Sequence, residues 1–134
     1  MPEIRPVLRI VFCDDFPKRS EKEREIWAAS WIATTLMPAL NEAQRGFSGR
    51  WAVGMDFARH RHFSVITPAR ITADLRRDVP FILELANAPT RQQEQILWAL
   101  LGELKRWTFA GDASGPGQTL MEYTGDTRAR TCRR

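Results

Sequence analysis

The sequence feature that most constrains the fold is a strict alternation of side-chain type in residues 51–57. Its apolar members are Trp51, Val53, Met55 and Phe57. Successive side chains of a strand point to opposite faces, so this period of two predicts a half-buried strand. The residues ARHR (58–61) then predict a turn, and HFSVIT (62–67) predicts a returning strand that Pro68 ends. Gly54 inside the first strand predicts a bulge or a close approach by another group.

The region before this hairpin predicts a strand and a long helix. Residues 6–12, PVLRIVF, are apolar on both faces, which is typical of a central strand. Ser20 stands three residues before Glu23, the spacing of a capping box at a helix start. Pro38 lacks a backbone donor, so the helix should kink or restart there, and Gly46 should end it. The side chains expected on its apolar face are Trp27, Trp31, Ile32, Leu36 and Leu40.

The second half of the chain predicts helices. Pro80 suits the first turn of a helix through FILELA, residues 81–86. Thr90 and Gln93 repeat the capping-box spacing before the strongest apolar stripe in the sequence. The members of that stripe are Ile96, Leu97, Leu100, Leu101, Leu104 and Trp107. Residues 110–117, AGDASGPG, predict a loop, and residues 118–124 a last strand.

Together these elements predict an α+β fold. The expected order is β-α-β-β-α-α, closed by a β-strand if residues 118–124 form one. Helices would pack on one face of a small antiparallel sheet, an arrangement compatible with ferredoxin-like folds. Residues 1–110 are expected to form a single domain. Residues 111–134 would hold a Gly/Pro-rich loop, an edge strand and a basic tail.

The net charge of +4 suggests a nucleic-acid partner, but its distribution matters more than its size. All of the excess lies in the last eight residues, TRARTCRR, because residues 1–126 hold 16 basic and 16 acidic side chains. Small basic clusters such as Arg76-Arg77 and Lys105-Arg106 are expected to be solvated surface with local ion pairs. The sequence therefore predicts electrostatic binding through four tail residues. These are Arg128, Arg130, Arg133 and Arg134.

Two histidines and three aspartates are candidates for catalysis. His60 and His62 would share one face of a strand, Asp14 and Asp15 would lie at the end of a central strand, and Asp56 on a neighbouring strand. Such a set is suited to binding a divalent cation for phosphodiester hydrolysis. The simpler interpretation is that the histidines are exposed at a polar hairpin tip and that the aspartates end strands. It leaves the chain without a catalytic or metal-binding residue.

Other residues are candidates for binding a partner. Trp98 lies off the main helical stripe and, with Phe109, is a candidate exposed anchor. The hairpin-tip residues Arg59, His60 and Arg61 are polar and suited to contact with a partner. Cys13 and Cys132 form no disulfide or metal framework by their spacing.

Three functions follow from these features. The leading hypothesis is a small non-catalytic accessory protein, a subunit, adaptor or inhibitor, that docks on a protein or nucleoprotein complex. The second is nucleic-acid binding through the tail and the hairpin tip, and the third is the metal-dependent nuclease or phosphodiesterase. No cofactor and no membrane partner are expected, and the chain is expected to be cytoplasmic. The sequence leaves the oligomeric state open.

Overall fold

The computed structural model describes residues 6–12, 19–56 and 63–111. Helices α1 (Glu21–Trp31) and α2 (Met37–Gln44) are joined by a π-helical segment (Ile32–Leu36), and α3 spans Thr90–Glu103. The strands are β1 (Val7–Val11), β2 (Arg50–Asp56), β3 (Phe63–Ile71), β4 (Arg77–Asp78), β5 (Ile82–Ala86) and β6 (Trp107–Gly111).

One six-stranded sheet has the order β1-β5-β3-β2-β6, and the short β4 pairs with β3. Strand β3 is antiparallel to β2 and β5, whereas β1 is parallel to β5 and β6 is parallel to β2. The predicted all-antiparallel sheet is therefore wrong. Helix α3 carries the chain from the end of β5 back to the side of the sheet at which β5 and β2 begin. Strand β6 starts there and therefore runs parallel to β2. The ferredoxin-like arrangement is not confirmed, because the element order differs.

Mixed α+β content with helices on one face of the sheet is confirmed. The face turned toward the helices carries the large apolar side chains of alternate sheet positions. They include Ile10, Trp51, Val53, Met55, Ile66, Leu83, Leu85, Trp107 and Phe109, all at most 5% exposed. The helices contribute Leu36, Leu40, Ile96, Leu97, Leu100 and Leu101 to the same core. These positions obey the two-residue period of strands and the 3.6-residue period of helices.

None of the described helices packs on the opposite face of the sheet. On β2 and its two neighbours that face carries small side chains, and on β1 it carries Val7 and Val11, which are 48% and 49% exposed. Strand β1 is an edge strand in the described sheet, so its predicted central position is wrong. The prediction was wrong because apolar side chains on both faces of a strand do not require burial on both faces. The apolar outer face of β1 is exposed among the described residues.

The first helix follows the predicted signals closely. The Ser20 hydroxyl accepts a hydrogen bond from the Glu23 backbone N–H (3.1 Å). The predicted restart at Pro38 is confirmed, since the helix widens into the π-helical segment and α2 begins at Met37, whose N–H donates to the Ile32 carbonyl. This widening accommodates a proline ring that would otherwise clash with the preceding turn. Gly46 follows the helix end with φ of +72°.

The largest local error concerns residues 81–86, which form strand β5 and not a helix. Leu83 and Leu85 face the helices, while Glu84 on the other face pairs with Arg9 of β1 (2.6 Å). Leucine, glutamate and alanine favour helices locally, but pairing with β1 and β3 on both sides overrides that weak preference.

Smaller differences concern element ends. Trp107 begins β6 and does not extend the stripe of α3, and Trp27 is exposed on α1. Thr90 is the first residue of α3, which begins without a side-chain cap, so the second capping box is not formed. Strand β3 continues through Pro68 to Ile71. That continuation is possible because Pro68 lies between the stretches of β3 that pair with β5 and with β4.

Candidate functional site

Four strands end at the same edge of the sheet, which we call the carboxyl edge. Strands β1, β5, β2 and β6 all run in one direction and β3 runs against them. In sheets that contain parallel strands, ligands bind outside the carboxyl ends of those strands. A ligand-binding or catalytic site is therefore expected at this edge.

Asp56 is the candidate residue that the structure describes at the carboxyl edge. It is the exposed last residue of β2 and lies opposite Val65 of β3. By alternation its side chain shares the uncovered face with Ala52 and Gly54. On the other side of β2, Met55 pairs with Gly111, the last residue of β6, and the next residue in the sequence is Asp112.

The other candidates for catalysis lie outside the described residues. These are Asp14, Asp15, His60 and His62. The strands to which their segments are joined end at the carboxyl edge, as β2 does. However, β1 and β2 are separated by β5 and β3, a distance of about 14 Å at the usual strand spacing. In the part of the chain that the structure describes, no group of three His, Cys, Asp or Glu side chains is placed to hold a metal ion.

A chain of buried hydrogen bonds links β3, the strand beside Asp56, to the start of α3. The Ser64 hydroxyl of β3, 0% exposed, donates to the Gln93 side-chain oxygen (3.0 Å). The Gln93 amide in turn donates to the Ala88 carbonyl (2.8 Å) in the segment between β5 and α3. These bonds tie the beginning of α3 to the strand beside Asp56. The site is thereby held on rigid elements.

The two predicted anchor residues do not lie together. Trp98 is half-buried and lines a cleft of about 370 Å³ between α1 and α3, together with Glu21, Glu25 and Glu94. Phe109 is 1% exposed in the core and cannot be an exposed anchor. Hydrogen bonds from Arg24 and Gln92 hold the pKa of Glu21 below its usual value. Trp98 stays a prediction as a binding residue, now placed in an acidic cleft.

The remaining predicted contacts also lie outside the described residues. They are Arg59, His60 and Arg61 of the hairpin tip and Arg128, Arg130, Arg133 and Arg134 of the tail. Their roles stay predictions.

A feature that the sequence did not reveal lies at the opposite edge, where β2 and β6 begin. A cleft of about 470 Å³ there is lined by four exposed cations, Arg50, Arg77, Lys105 and Arg106. We call it the basic cleft. The residues are up to 56 positions apart in the sequence, so no local charge pattern marks them. The only indication of this cleft in the sequence is the presence of two adjacent basic pairs, Arg76-Arg77 and Lys105-Arg106.

An ordered loop forms one rim of the basic cleft. Leu75 is 76% exposed and has φ of +66°, a conformation that leucine rarely adopts. The loop is held by the Thr72 side chain, which accepts from the Arg76 N–H (3.0 Å), and by the Leu75 N–H, which donates to the Thr72 carbonyl (2.9 Å). Thr72 also donates to Asp74, a bond that lowers the pKa of that carboxyl. These hydrogen bonds therefore fix the shape of the rim.

Within the described residues, no helix is both long and apolar enough to cross a membrane. No family model and no solved structure matches the chain. The chain is similar to two curated phage proteins. It is 37% identical over 118 residues to "Probable terminase, large subunit gp28" of Escherichia phage Mu, a match that covers 87% of this chain and 21% of that protein.

The second relative is "Mu-like prophage FluMu protein gp28" of Haemophilus influenzae (strain ATCC 51907 / DSM 11121 / KW20 / Rd). It is 35% identical over 112 residues, which cover 82% of this chain and 22% of the relative. The chain thus spans about a fifth of the length of both relatives. It is similar to one part of these Mu-type phage proteins, the first of which is named a probable terminase large subunit.

Proposed function

We propose that the chain acts on DNA as part of a terminase-like phage protein, and that it cleaves phosphodiester bonds with a divalent cation at the carboxyl edge. The observation that carries this proposal is the exposed Asp56 at the end of β2, beside a parallel strand whose sequence continues directly into Asp112. The phage Mu relative is named a probable terminase large subunit, which supports the terminase-like part of this proposal.

The register of β2 and β6 supports a pair of carboxylates. Met55 and Gly111 are partners in the ladder, and adjacent strands lie about 4.8 Å apart. Asp56 follows Met55 and Asp112 follows Gly111 in the sequence. On this ground we propose Asp112 as the second carboxylate of the site.

Two carboxylates suit Mg²⁺ or Mn²⁺, which prefer oxygen ligands. Such an ion would neutralise charge on the phosphate and lower the pKa of a bound water. The described part of the chain contributes Asp56, held at the end of the paired strand β2, beside the strand that carries the Ser64–Gln93 hydrogen bond. His60 and His62 are joined to the same edge through the segment after Asp56, and they are further candidate site residues.

The test is cleavage of supercoiled plasmid DNA by the full chain with Mg²⁺ or Mn²⁺, and then with a chelator. We expect nicking that depends on the ion and falls at least about 100-fold in Asp56→Asn and in Asp112→Asn, because one charge is lost with little change of shape. The matched control is Glu42→Gln, which removes an exposed carboxylate of α2 outside both the carboxyl edge and the basic cleft. Cleavage that survives in Asp56→Asn contradicts the assignment of this residue.

Docking on a protein complex is a second candidate, and the exposed Val7 and Val11 of the edge strand β1 favour it. An apolar edge strand offers both backbone hydrogen bonds and apolar surface to another polypeptide. Because the relatives are about four times as long as this chain, that polypeptide is expected to belong to the same terminase-like assembly. If Val7→Lys with Val11→Lys leaves co-purification with the assembly unchanged, this surface is not the docking site.

A further inference from the structure

The basic cleft concentrates positive charge, and residues 1–126 as a whole are neutral by count. Its lining includes Arg50, Arg77, Lys105 and Arg106, and among the described residues no carboxylate lines it. The nearby acids are already engaged: Asp74 pairs with Arg76 (2.7 Å), and Asp78 pairs with Arg70. Folding has therefore separated the charges that the sequence interleaves.

The four cations come from three different elements. Arg50 begins β2, Arg77 lies in β4, and Lys105 and Arg106 precede β6. Arg106 donates to the Ser48 carbonyl (2.7 Å), which fixes its guanidinium at the cleft wall. All four side chains are exposed. They are thus available to a ligand in solution while their backbones are held by the sheet.

The cleft continues onto the uncovered face of the sheet. A second depression, of about 500 Å³, shares Ala52, Arg77 and Thr108 with it. Its base consists of two rows of paired residues, and we call it the small-residue floor. The first row is Ala69, Ala52 and Thr108, and the second row is Thr67, Gly54 and Ala110. The third row along the same face contains Asp56, opposite Val65.

Gly54 shows that the floor is open. A Cβ atom built on this residue meets no atom within 4 Å, and the residue has ordinary strand pairing on both sides. The predicted bulge is therefore absent. The small side chains leave space for a backbone other than the chain's own to approach the sheet closely.

We propose that the basic cleft binds the sugar–phosphate backbone of DNA and that the small-residue floor carries this backbone along β2 to Asp56. This inference rests on the proposed function for its direction, from anchoring at one edge to chemistry at the other. The partner follows from charge complementarity, because the exposed arginines of a cleft with no carboxylate among its described lining residues suit phosphates, which guanidinium groups bind in bidentate geometry.

The length of β2 sets the size of the ligand. Six residue steps from Arg50 to Asp56 span about 20 Å, which corresponds to about six base pairs of duplex. Contacts with up to four phosphates predict that the logarithm of the binding constant falls with the logarithm of salt concentration with a slope of about −3.6.

The test measures binding of a fluorescent 20-base-pair duplex by anisotropy, with a chelator present so that cleavage cannot occur. The four tail arginines are replaced by glutamine in the full chain, which removes the predicted tail contacts. We expect binding to survive with a slope of about −3.6. Arg50→Gln with Arg77→Gln should reduce the slope to about −1.8.

The matched control is Lys22→Gln with Arg45→Gln, which removes the same charge outside the cleft and should leave the slope unchanged. If both double variants behave alike, the charge acts at long range and the cleft is not the site. If polyglutamate competes as strongly as DNA at equal charge concentration, the occupant is an acidic polypeptide and the proposal is overturned.

The floor is tested separately by Gly54→Tyr, with Gly102→Tyr as the control at a second glycine whose Cβ would meet open space. A tyrosine at position 54 suits a strand and stands on the floor, so DNA affinity should fall by about tenfold while the thermal midpoint is retained. Unchanged affinity in a folded Gly54→Tyr variant overturns the path along the floor. Binding that persists without any cleavage contradicts the proposed function and leaves this inference intact.

Discussion

The two edges of the sheet differ in how their functional residues were brought together. At the carboxyl edge, Asp56 lies at the end of a strand whose pattern is visible in the sequence. At the opposite edge, which we call the amino edge because β2 and β6 begin there, Arg50, Arg77 and Lys105 come from separate elements and meet only after folding. A carboxylate near the end of one strand can therefore be predicted from a local pattern, whereas a surface built from several elements cannot.

The edges also differ in their supporting interactions. Below the carboxyl edge, Ser64 and Gln93 form a hydrogen bond that is closed to water. At the amino edge, the Thr72 loop and the Arg70–Asp78 pair are partly open to solvent. Arg70 also donates to the Ala43 carbonyl (2.9 Å) and lies over the Phe47 ring. Rigid, buried support suits a reaction site, while a wetter rim suits exchange of phosphate contacts.

The largest expected effects are on the KM for DNA and on the single-turnover cleavage rate. Arg50→Gln with Arg77→Gln should raise the KM for DNA at least about tenfold and leave the single-turnover cleavage rate at saturating DNA unchanged, since it removes binding only. Asp56→Asn should do the reverse. A double variant that lowers the saturated rate as much as Asp56→Asn does would show that the two edges do not divide binding from chemistry.

The second prediction compares hydroxyl groups at the two edges. Ser64→Ala leaves the Gln93 oxygen buried without its donor and should lower the free energy of unfolding by about 1–3 kcal/mol. Thr72→Ala removes bonds that water can replace and should cost about 0.5–1 kcal/mol. Urea denaturation of both variants measures the difference. Equal losses of unfolding free energy would mean that the two hydroxyl groups are equally accessible to water.

The third prediction uses the two non-glycine residues with positive φ, one near each edge. Leu75 has φ of +66° near the amino edge and Asn87 has φ of +56° after β5. Leucine tolerates this conformation poorly and asparagine tolerates it well. Leu75→Gly should therefore raise the free energy of unfolding by up to about 1 kcal/mol, and Asn87→Gly should not raise it. A loss of stability in Leu75→Gly would show that its side chain makes contacts worth more than the strain.

The smallest expected effect concerns pH. Hydrogen bonds from Arg24 and Gln92 lower the pKa of Glu21, so the ionised carboxylate contributes stability above its unfolded pKa. That contribution is lost as pH falls through the lowered folded pKa. Glu21→Gln should cost less than about 1 kcal/mol at pH 7, because the pair is partly exposed, and almost nothing at pH 2.

Thermal unfolding at both pH values checks the Glu21 prediction.

Local patterns predicted the elements whose stability is local. The Ser20 cap, the restart at Pro38 and the end near Gly46 were correct, and so was the stripe of α3 from Ile96 to Leu101, because capping and amphipathicity act within a few residues. The alternation in residues 51–57 likewise located β2, the strand that carries Asp56. Those features required no knowledge of what the chain packs against.

Only the tertiary structure decided which strands are neighbours. Residues 82–86 became a strand because β1 and β3 pair with them, and β6 became parallel to β2 because α3 carries the chain back across the sheet. The basic cleft has the same origin, since its cations are separated by up to 56 residues and are brought together by pairing. The local sequence pattern thus predicts the periodicity and the strand that carries Asp56, and long-range pairing assembles the basic cleft. The physical reason is that a strand's free energy lies largely in neighbours that are distant in sequence.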